Sequence, residues 1–318
     1  MQLKLLWNQH KSRLTDLAPL VGLALLIVLY LIQMDGAVTS YNLKILLNQV
    51  VITAVIATGA IFIFSIGAFD ISLGAATAVS AMAGATIYNA TGSLALMFVA
   101  CVVVGVVIGA FNSIFAALFN LPVFVTTIAM LSILNSIVEV ILNGQSKLSI
   151  DSAAAATLDT IPVKLSVLII FFLICYFVFQ FTPIGRQSKF LSGNPISAKQ
   201  TGISKVKLTM VAFVIAGIGI GLAAFLTIVR APVLSKTTAA SIGMDVLIAV
   251  VFGGMPLSGG ARSKITAAIV GATSIVLLNQ VLLSFGLSSG ISQIAKGVLF
   301  LFVVYFASLG FREKMLPR

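Results

Sequence analysis

The longest polar and basic interruption of this sequence lies at residues 182–207 and reads TPIGRQSKFLSGNPISAKQTGISKVK. It contains five Lys and Arg residues and no acidic residue, and long apolar segments lie on both sides of it. A basic loop between apolar segments is typical of the cytoplasmic side of a membrane protein. We therefore interpret 182–207 as a cytoplasmic loop that a partner protein binds, and its position fixes the topology of the rest of the chain.

The composition of the 318-residue chain favours the same interpretation. Hydrophobic residues make up 60% and charged residues only 8%, whereas a soluble domain carries about 25% charged residues. So few charges cannot cover a water-facing surface of this size, and a multi-span helical membrane protein fits best. The net charge of +11 indicates Lys and Arg collected on one side of a membrane. It does not indicate nucleic-acid binding, because the charges sit at the ends of apolar runs.

The sequence offers no arrangement of residues for catalysis or metal binding. Cys101 and Cys175 lie inside apolar runs without metal-ligand spacing, and His10 is the only histidine. The tetrapeptide LSGG at 257–260 also occurs in the signature of ABC ATPases, but the chain has no phosphate-binding loop of the form GxxxxGK[ST]. We therefore expect no cofactor, no metal and no ATP hydrolysis by this chain.

The apolar segments predict an all-α polytopic membrane protein with about ten transmembrane helices, two of them broken. The predicted spans are 17–32, 44–66, 71–90, 94–119, 123–142, 163–181, 208–229, 242–255, 265–284 and 291–309. The predicted domains are a cytoplasmic tail at 1–16, the first half of the transmembrane domain at 17–181, the coupling loop at 182–207, the second half at 208–311 and a cytoplasmic tail at 312–318.

The charges also predict the orientation of the chain. If the N-terminus is inside and the spans alternate, most Lys and Arg residues fall on the cytoplasmic side, as the positive-inside rule requires. The reverse orientation would place most of them outside. An even number of spans then puts both termini in the cytoplasm. Residues 143–162 become an outer loop, which is either a partner contact or a solvated connector.

Asp70 is the most conspicuous polar residue within the apolar part of the chain. It lies in GAFDISLG at 67–74, between two predicted spans. A carboxylate in hydrocarbon costs roughly 2.5–3.5 kcal/mol on insertion scales. Asp70 either caps the following helix by accepting its free N–H groups or lines, with Ser72, the path of a polar solute; both roles are compatible.

A second break lies in the other half of the chain, in GGMPLSGG at 253–260. Irregular backbone at membrane depth survives only where protein or water covers it, and paired breaks point to a transport path. In the fifth span, Thr127, Asn135 and Glu139 share roughly one helix face, which suits either a hydroxyl-rich solute or hydrogen bonds between helices. Glu139 and Lys296 are expected to reach water. The candidate pathway residues are Asp70, Ser72, Thr127, Asn135, Gly254 and Ser258.

Five segments resemble, in the same order, the permease subunit of ribose/xylose/galactose-type ABC importers. GAFDISLG, for example, is similar to the family's GGIDLSVG, and Asp245 stands just upstream of another match. Ala68–Phe69 and Met255–Pro256 depart from the family pattern. The matching segments are GAFDISLG (67–74), PVFVTTIAMLS (122–132), SGNPISAKQTGI (192–203), VFGGMPLSGG (251–260) and IAKGVL (294–299).

The resemblance implies a multi-pass protein of a prokaryotic plasma membrane that moves a small polar solute inward, with a monosaccharide expected. It implies two ABC ATPase subunits on the cytoplasmic side, an extracytoplasmic solute-binding protein, a second permease copy or paralogue, and a surrounding lipid membrane, with no nucleic acid. Residues 182–207 would dock on the ATPase, which alone hydrolyses ATP. The candidate coupling residues are Arg186, Gly193, Asn194, Ala198, Lys199 and Gly202.

Two alternatives stay open at this point. Within the ABC class, the solute is a nucleoside or a branched-chain amino acid. Outside that class, the chain is an ion-coupled secondary carrier with Asp70 or Glu139 as the proton carrier.

Overall fold

A computed structural model describes residues 2–34, 39–119 and 121–312, which are mostly helical. The helices are α1 (Gln2–Gln33), α2 (Ser40–Ser65), α3 (Leu73–Thr91), α4 (Leu94–Leu118), α5 (Val123–Leu142), α6 (Ser152–Leu158), α7 (Ile161–Phe181), α8 (Pro183–Gly193), α9 (Pro195–Gln200), α10 (Lys205–Arg230), α11 (Ile242–Phe252), α12 (Ala267–Ser284) and α13 (Ser289–Arg312). Two strands, β1 (Lys147–Ser149) and β2 (Val233–Ser235), pair antiparallel.

Each of the ten predicted spans coincides with one helix. These helices are α1 to α5, α7 and α10 to α13. Among the described residues, six helices are long and apolar enough to cross a membrane: α2, α4, α5, α7, α10 and α12. Shorter apolar stretches occur in α1, α11 and α13. The chain is therefore an all-α polytopic membrane protein, with one small pair of strands in its connections.

The helix boundaries differ from the predicted spans at three places. The first helix begins at Gln2, so the segment that we expected to be an N-terminal tail is the first part of α1. α11 ends at Phe252, before the predicted 255, because Gly254 adopts a left-handed φ of +87° and Pro256 follows. Of the expected C-terminal tail, residues 313–318 lie outside the described part of the chain.

The centre of the molecule is formed by α2 and α10. Residues 50–65 of α2 are buried on all sides, as expected for a helix that is apolar all round. α10 lies against α2 and α4, and glycines at four-residue spacing allow the close approach to α4. A Cβ atom at Gly105 would lie 2.4 Å from the carbonyl oxygen of Gly217, and one at Gly221 would lie 2.4 Å from the Cα of Val102.

The two ends of the helix bundle differ. One end carries the β1–β2 pair, which joins the connection after α5 to the connection after α10. The other end carries α8 and α9 together with two irregular segments, 66–72 and 253–266. Asn194 caps α9, since its Oδ1 accepts a hydrogen bond from the N–H of Ser197 at 3.0 Å. The dipeptide Asn194–Pro195 therefore starts a short helix, with the cap at Asn194 and proline at the first helical position.

Candidate functional site

The 182–207 segment packs against the first irregular segment. Leu191, Ala198 and Leu208 form a small buried cluster, and Ile66 and Ile203 pack on it. Ile66 is the residue that directly follows α2. The basic segment thus shares a hydrophobic core with the chain that leads into the predicted break at Asp70.

Ser192, near the end of α8, connects the same segment to the second break. Its hydroxyl donates a hydrogen bond to the carbonyl oxygen of Ser258. A Cβ atom at Gly67 would lie 3.1 Å from the Ser192 Oγ, and one at Gly259 would lie 2.7 Å from it. Both glycines have left-handed φ values, +74° and +67°. Larger residues there would clash with Ser192, so the three segments touch directly.

The two breaks also touch each other. The N–H of Gly260 donates to the carbonyl oxygen of Ser65 at 3.3 Å. These segments are almost two hundred residues apart along the chain, and we did not predict that they touch. α8 is therefore in direct contact with both irregular segments.

Most of the candidate coupling residues lie on the free surface of this end. Arg186, Gly193, Asn194, Lys199 and Gly202 are exposed, whereas Ala198 is fully buried in the small cluster. Lys189 lies over the ring of Phe179, 4.7 Å from its centroid, and partial burial lowers the pKa of its ammonium group. The exposed residues are available to a partner, and Ala198 holds α9 in place.

Sequence reasoning missed Ile196, whose side chain is 74% exposed between Pro195 and Ser197. Together with Phe190, which is 44% exposed, Ile196 adds apolar surface to this polar, basic segment. The available signal was an apolar residue in the first turn of a helix only six residues long. Such a helix is too short to bury every apolar side chain it carries.

Asp70 is 2% exposed and lies at the start of α3. Its Oδ1 accepts hydrogen bonds from the Ser72 N–H at 2.7 Å and the Ser72 hydroxyl at 2.6 Å. Asn112 of α4 donates to the Ser72 Oγ at 3.1 Å. The carboxylate thus accepts the N–H of Ser72, the N-cap of α3, from a position two residues before it.

The three polar residues of α5 do not share one environment. Thr127 is fully buried, and its hydroxyl accepts a 3.5 Å hydrogen bond from the N–H of Ile71. Asn135 is exposed, and Glu139 is exposed and forms a 2.9 Å ion pair with Lys236. Thr127 therefore supports the Asp70 segment, and Glu139 reaches water as expected.

A cavity of about 500 Å³ lies beside the two irregular segments. Phe69 and Ile71 line it from the first segment and Leu257 from the second, and its other walls come from α3, α5, α11 and α13. The lining is apolar. Gly254 and Ser258 are not among the lining residues; a Cβ atom at Gly254 would lie 2.6 Å from the Pro19 side chain.

The expectation that Lys296 reaches water is wrong. Lys296 is 5% exposed, and its ammonium group donates to the Oδ1 of Asp245 at 2.6 Å. Asn279 donates to the other oxygen, Oδ2, at 3.2 Å. An ammonium group buried in an apolar bundle needs an anionic partner, and nothing in a single sequence indicates which residue of α11 faces a given residue of α13.

Comparison with known proteins identifies several similar chains. A family described as "Branched-chain amino acid transport system / permease component" matches residues 42–307. The ribose import permease protein RbsC of Haemophilus influenzae is 27% identical over 83% of this chain and 84% of its own length. RbsC of Bacillus subtilis is 27% identical, with 91% of each chain covered. The galactofuranose transporter permease protein YtfT of Escherichia coli is 24% identical over 84% of this chain and 79% of its own length. No solved structure matches.

Proposed function

Because the chain belongs to the family of branched-chain amino acid transport system permease components, we propose that it is the permease subunit of an ABC importer for a monosaccharide. Relatives that match it over most of their length are permeases for ribose and galactofuranose. The observation that carries the proposal is the contact of the 182–207 segment with both irregular segments. A channel subunit driven by a separate motor needs such a mechanical connection, whereas a stand-alone carrier does not.

The proposed mechanism starts at the exposed surface of α8 and α9. The partner ATPase binds there, with Ile196 as an apolar anchor and Arg186 and Lys199 as basic contacts. ATP binding moves this surface, and the Ser192–Ser258 hydrogen bond passes the movement to the second irregular segment. Ile66 passes it to the first. Alternating access follows from the rearrangement of these segments against the helices.

The movement acts on the cavity because the irregular segments supply part of its wall. Phe69, Ile71 and Leu257 change position whenever their segments do. Asp70, Ser72 and Thr127 hold the first segment in shape through their hydrogen bonds. Asn135 lies on the exposed face of α5, and Gly254 and Ser258 shape the backbone of the second segment; none of the three lines the cavity. The apolar lining offers few hydrogen bonds to a sugar, so the solute passes through with low affinity.

The proposed topology has about ten spans, two irregular segments and both termini in the cytoplasm. Two sets of contacts support it. β1 and β2, both expected outside, are paired, and Ser65, Ser192 and Ser258, all expected inside, are neighbours. ATP hydrolysis belongs to two partner subunits, and a solute-binding protein delivers the sugar from outside. Exposed apolar faces on α4, α5 and α13 suit lipid and a second permease.

The alternatives are less well supported. The description of the family names branched-chain amino acids, which keeps an amino acid as the second candidate solute. For an ion-coupled carrier, the two candidate proton carriers are already engaged: Asp70 by Ser72, and Glu139 by Lys236 at the surface. Neither residue lines the cavity.

Uptake by the reconstituted complex tests the proposal. The chain is assembled in proteoliposomes with its partner ATPase and solute-binding protein, and uptake of labelled D-ribose, L-arabinose and L-leucine is measured. We expect ATP-dependent uptake of a sugar. Uptake that continues without the ATPase, or uptake of leucine alone, would overturn the proposal.

A further inference from the structure

A second cavity, of about 400 Å³, lies among α2, α10, α11, α12 and α13. Its size falls in the range of small-molecule sites, roughly 300–1,000 Å³. In contrast to the first cavity, its walls include many polar side chains, and we call it the polar cavity. Thr53, Asp245, Ser292 and Lys296 form a buried floor, and the rim includes the exposed Gln293.

Two opposite charges at this cavity neutralise each other. Asp245 is paired with Lys296 and accepts a further hydrogen bond from Asn279. Arg230 also lines the cavity and adds a positive charge at its edge; the Asp159 carboxylate attracts it but is already paired with Lys164. A site with a neutralised pair and many hydrogen-bonding groups suits a neutral ligand that is rich in hydroxyl groups. It does not suit a free cation, because Arg230 adds a positive charge beside the neutralised pair.

Several polar groups of the floor and rim are not used by the protein itself. The Ser292 hydroxyl is buried, with the residue 8% exposed, and has no hydrogen-bond partner. Within the described residues, the Thr53 hydroxyl and the Gln293 amide likewise make no hydrogen bond to another protein group. Thr58, one and a half turns further along α2, instead bonds the carbonyl of Ala54 at 2.7 Å. Unused donors and acceptors around one cavity indicate that a polar guest satisfies them.

The two cavities are neighbours along α13 and α11. Lys296 lines the polar cavity, while Phe300 and Val304, one and two turns further along α13, line the apolar one. On α11, Asp245 faces the polar cavity and the adjacent Met244 faces the apolar one. A solute that leaves the polar cavity is therefore next to the apolar cavity.

We propose that the polar cavity is a holding site for a neutral monosaccharide, in which the hydroxyl groups of the sugar bond to Thr53, Ser292 and Gln293 beside the Asp245–Lys296 pair. This assignment rests on the proposed function, because it supplies the sugar-binding groups that the apolar cavity lacks.

Two substitutions with matched controls test the site in the reconstituted complex. Thr53→Val removes a cavity hydroxyl without changing the side-chain volume, and Thr58→Val makes the same change on the same helix away from the cavity. Gln293→Leu acts at the exposed rim, where folding is not at risk, and Gln180→Leu is its control at an exposed position of α7. D-ribose uptake and ATP hydrolysis are measured together.

We expect Thr53→Val and Gln293→Leu each to lower D-ribose uptake about three- to tenfold, the effect of one lost hydrogen bond. ATP hydrolysis and both controls should stay within about twofold of the wild-type values, a margin below that effect. Wild-type uptake by both cavity variants would overturn the holding site while leaving the proposed function intact. A wild-type complex that imports no sugar would overturn the proposed function, and the holding site with it.

Discussion

Gly193 is an exposed position where a substitution is expected to change coupling to the ATPase without changing the folding of the chain. Nothing lies within 4 Å of a Cβ atom placed there, and its backbone is not left-handed. Gly67 and Gly259, by contrast, are both left-handed and crowded by Ser192. Position 193 therefore tolerates a side chain within the chain itself, and any loss of function there reports on a partner.

Gly193→Trp is predicted to leave insertion and folding unchanged and to uncouple ATP hydrolysis from transport. The bulky ring would occupy the space that the ATPase surface takes. Gly290→Trp is the control, because Gly290 also has open space around it but lies near the start of α13. Folded yield, ATP hydrolysis and uptake are compared for the two variants. Normal coupling in Gly193→Trp would argue against α8 and α9 as the docking surface.

The Asp245–Lys296 pair predicts a second single-residue effect. Lys296→Met leaves the Asp245 carboxylate buried without its cation, and removal of one member of a buried pair costs about 3–5 kcal/mol. We expect a large drop in the yield of folded protein and in its melting temperature in detergent. The double variant Asp245→Asn/Lys296→Met leaves no unpaired charge and should recover most of the loss. Equal damage in the single and double variants would contradict the pairing.

The residues of the candidate site were only partly predictable from the sequence. Asp70 stood out because a carboxylate among apolar residues needs hydrogen-bond donors, and its contact with the Ser72 N–H follows from that local rule. The pairing of Lys296 with Asp245 and the contact of Ser192 with Ser258 join residues that are distant in the chain. Without an alignment, nothing in one sequence indicates such pairs. Ile196 was missed because burial of an isoleucine is the usual outcome.

Helices of this chain were easier to predict than their packing. Apolar length and flanking charges indicated each span, since a bilayer requires about 20 apolar residues. The close contact of α4 and α10 depends on Gly105, Gly109, Gly217 and Gly221, whose four-residue spacing is visible in the sequence. Which helix each of these two glycine pairs faces, however, depends on how all the helices of the bundle are arranged.

Gly221→Leu tests this helix contact. A side chain there would collide with the backbone of Val102 and Cys101, at 2.4–2.6 Å from the first added atom. Overpacking of this kind costs about 1–3 kcal/mol or more, so we expect a lower melting temperature and less folded protein. Gly22→Leu in α1 is the control, because a Cβ atom at Gly22 meets nothing within 4 Å. If Gly221→Leu lowers the melting temperature and the folded yield no more than Gly22→Leu does, the contact of α4 with α10 does not require a small residue at position 221.

The molecule as a whole has two functional ends. One end holds the β1–β2 pair, and the other holds α8, α9 and both irregular segments. The first cavity adjoins the irregular segments, and the second adjoins the C-terminal end of α10 at Arg230 and Ala231. Both are lined in part by the same helices, α11 and α13. In the topology that we propose, the solute arrives at the first end and the partner ATPase acts on the second. The account therefore depends on which side of the membrane α8 and α9 occupy.

Labelling of single cysteines in intact cells measures this directly. Cys101 and Cys175 are buried, so a membrane-impermeant maleimide reports on cysteines introduced at exposed positions. Lys199→Cys on α9 is compared with Lys147→Cys on β1, both exposed. We predict that Lys147→Cys is labelled in intact cells and that Lys199→Cys is labelled only after the membrane is permeabilised. Rapid labelling of Lys199→Cys in intact cells would place α9 out of reach of a cytoplasmic ATPase and contradict the account.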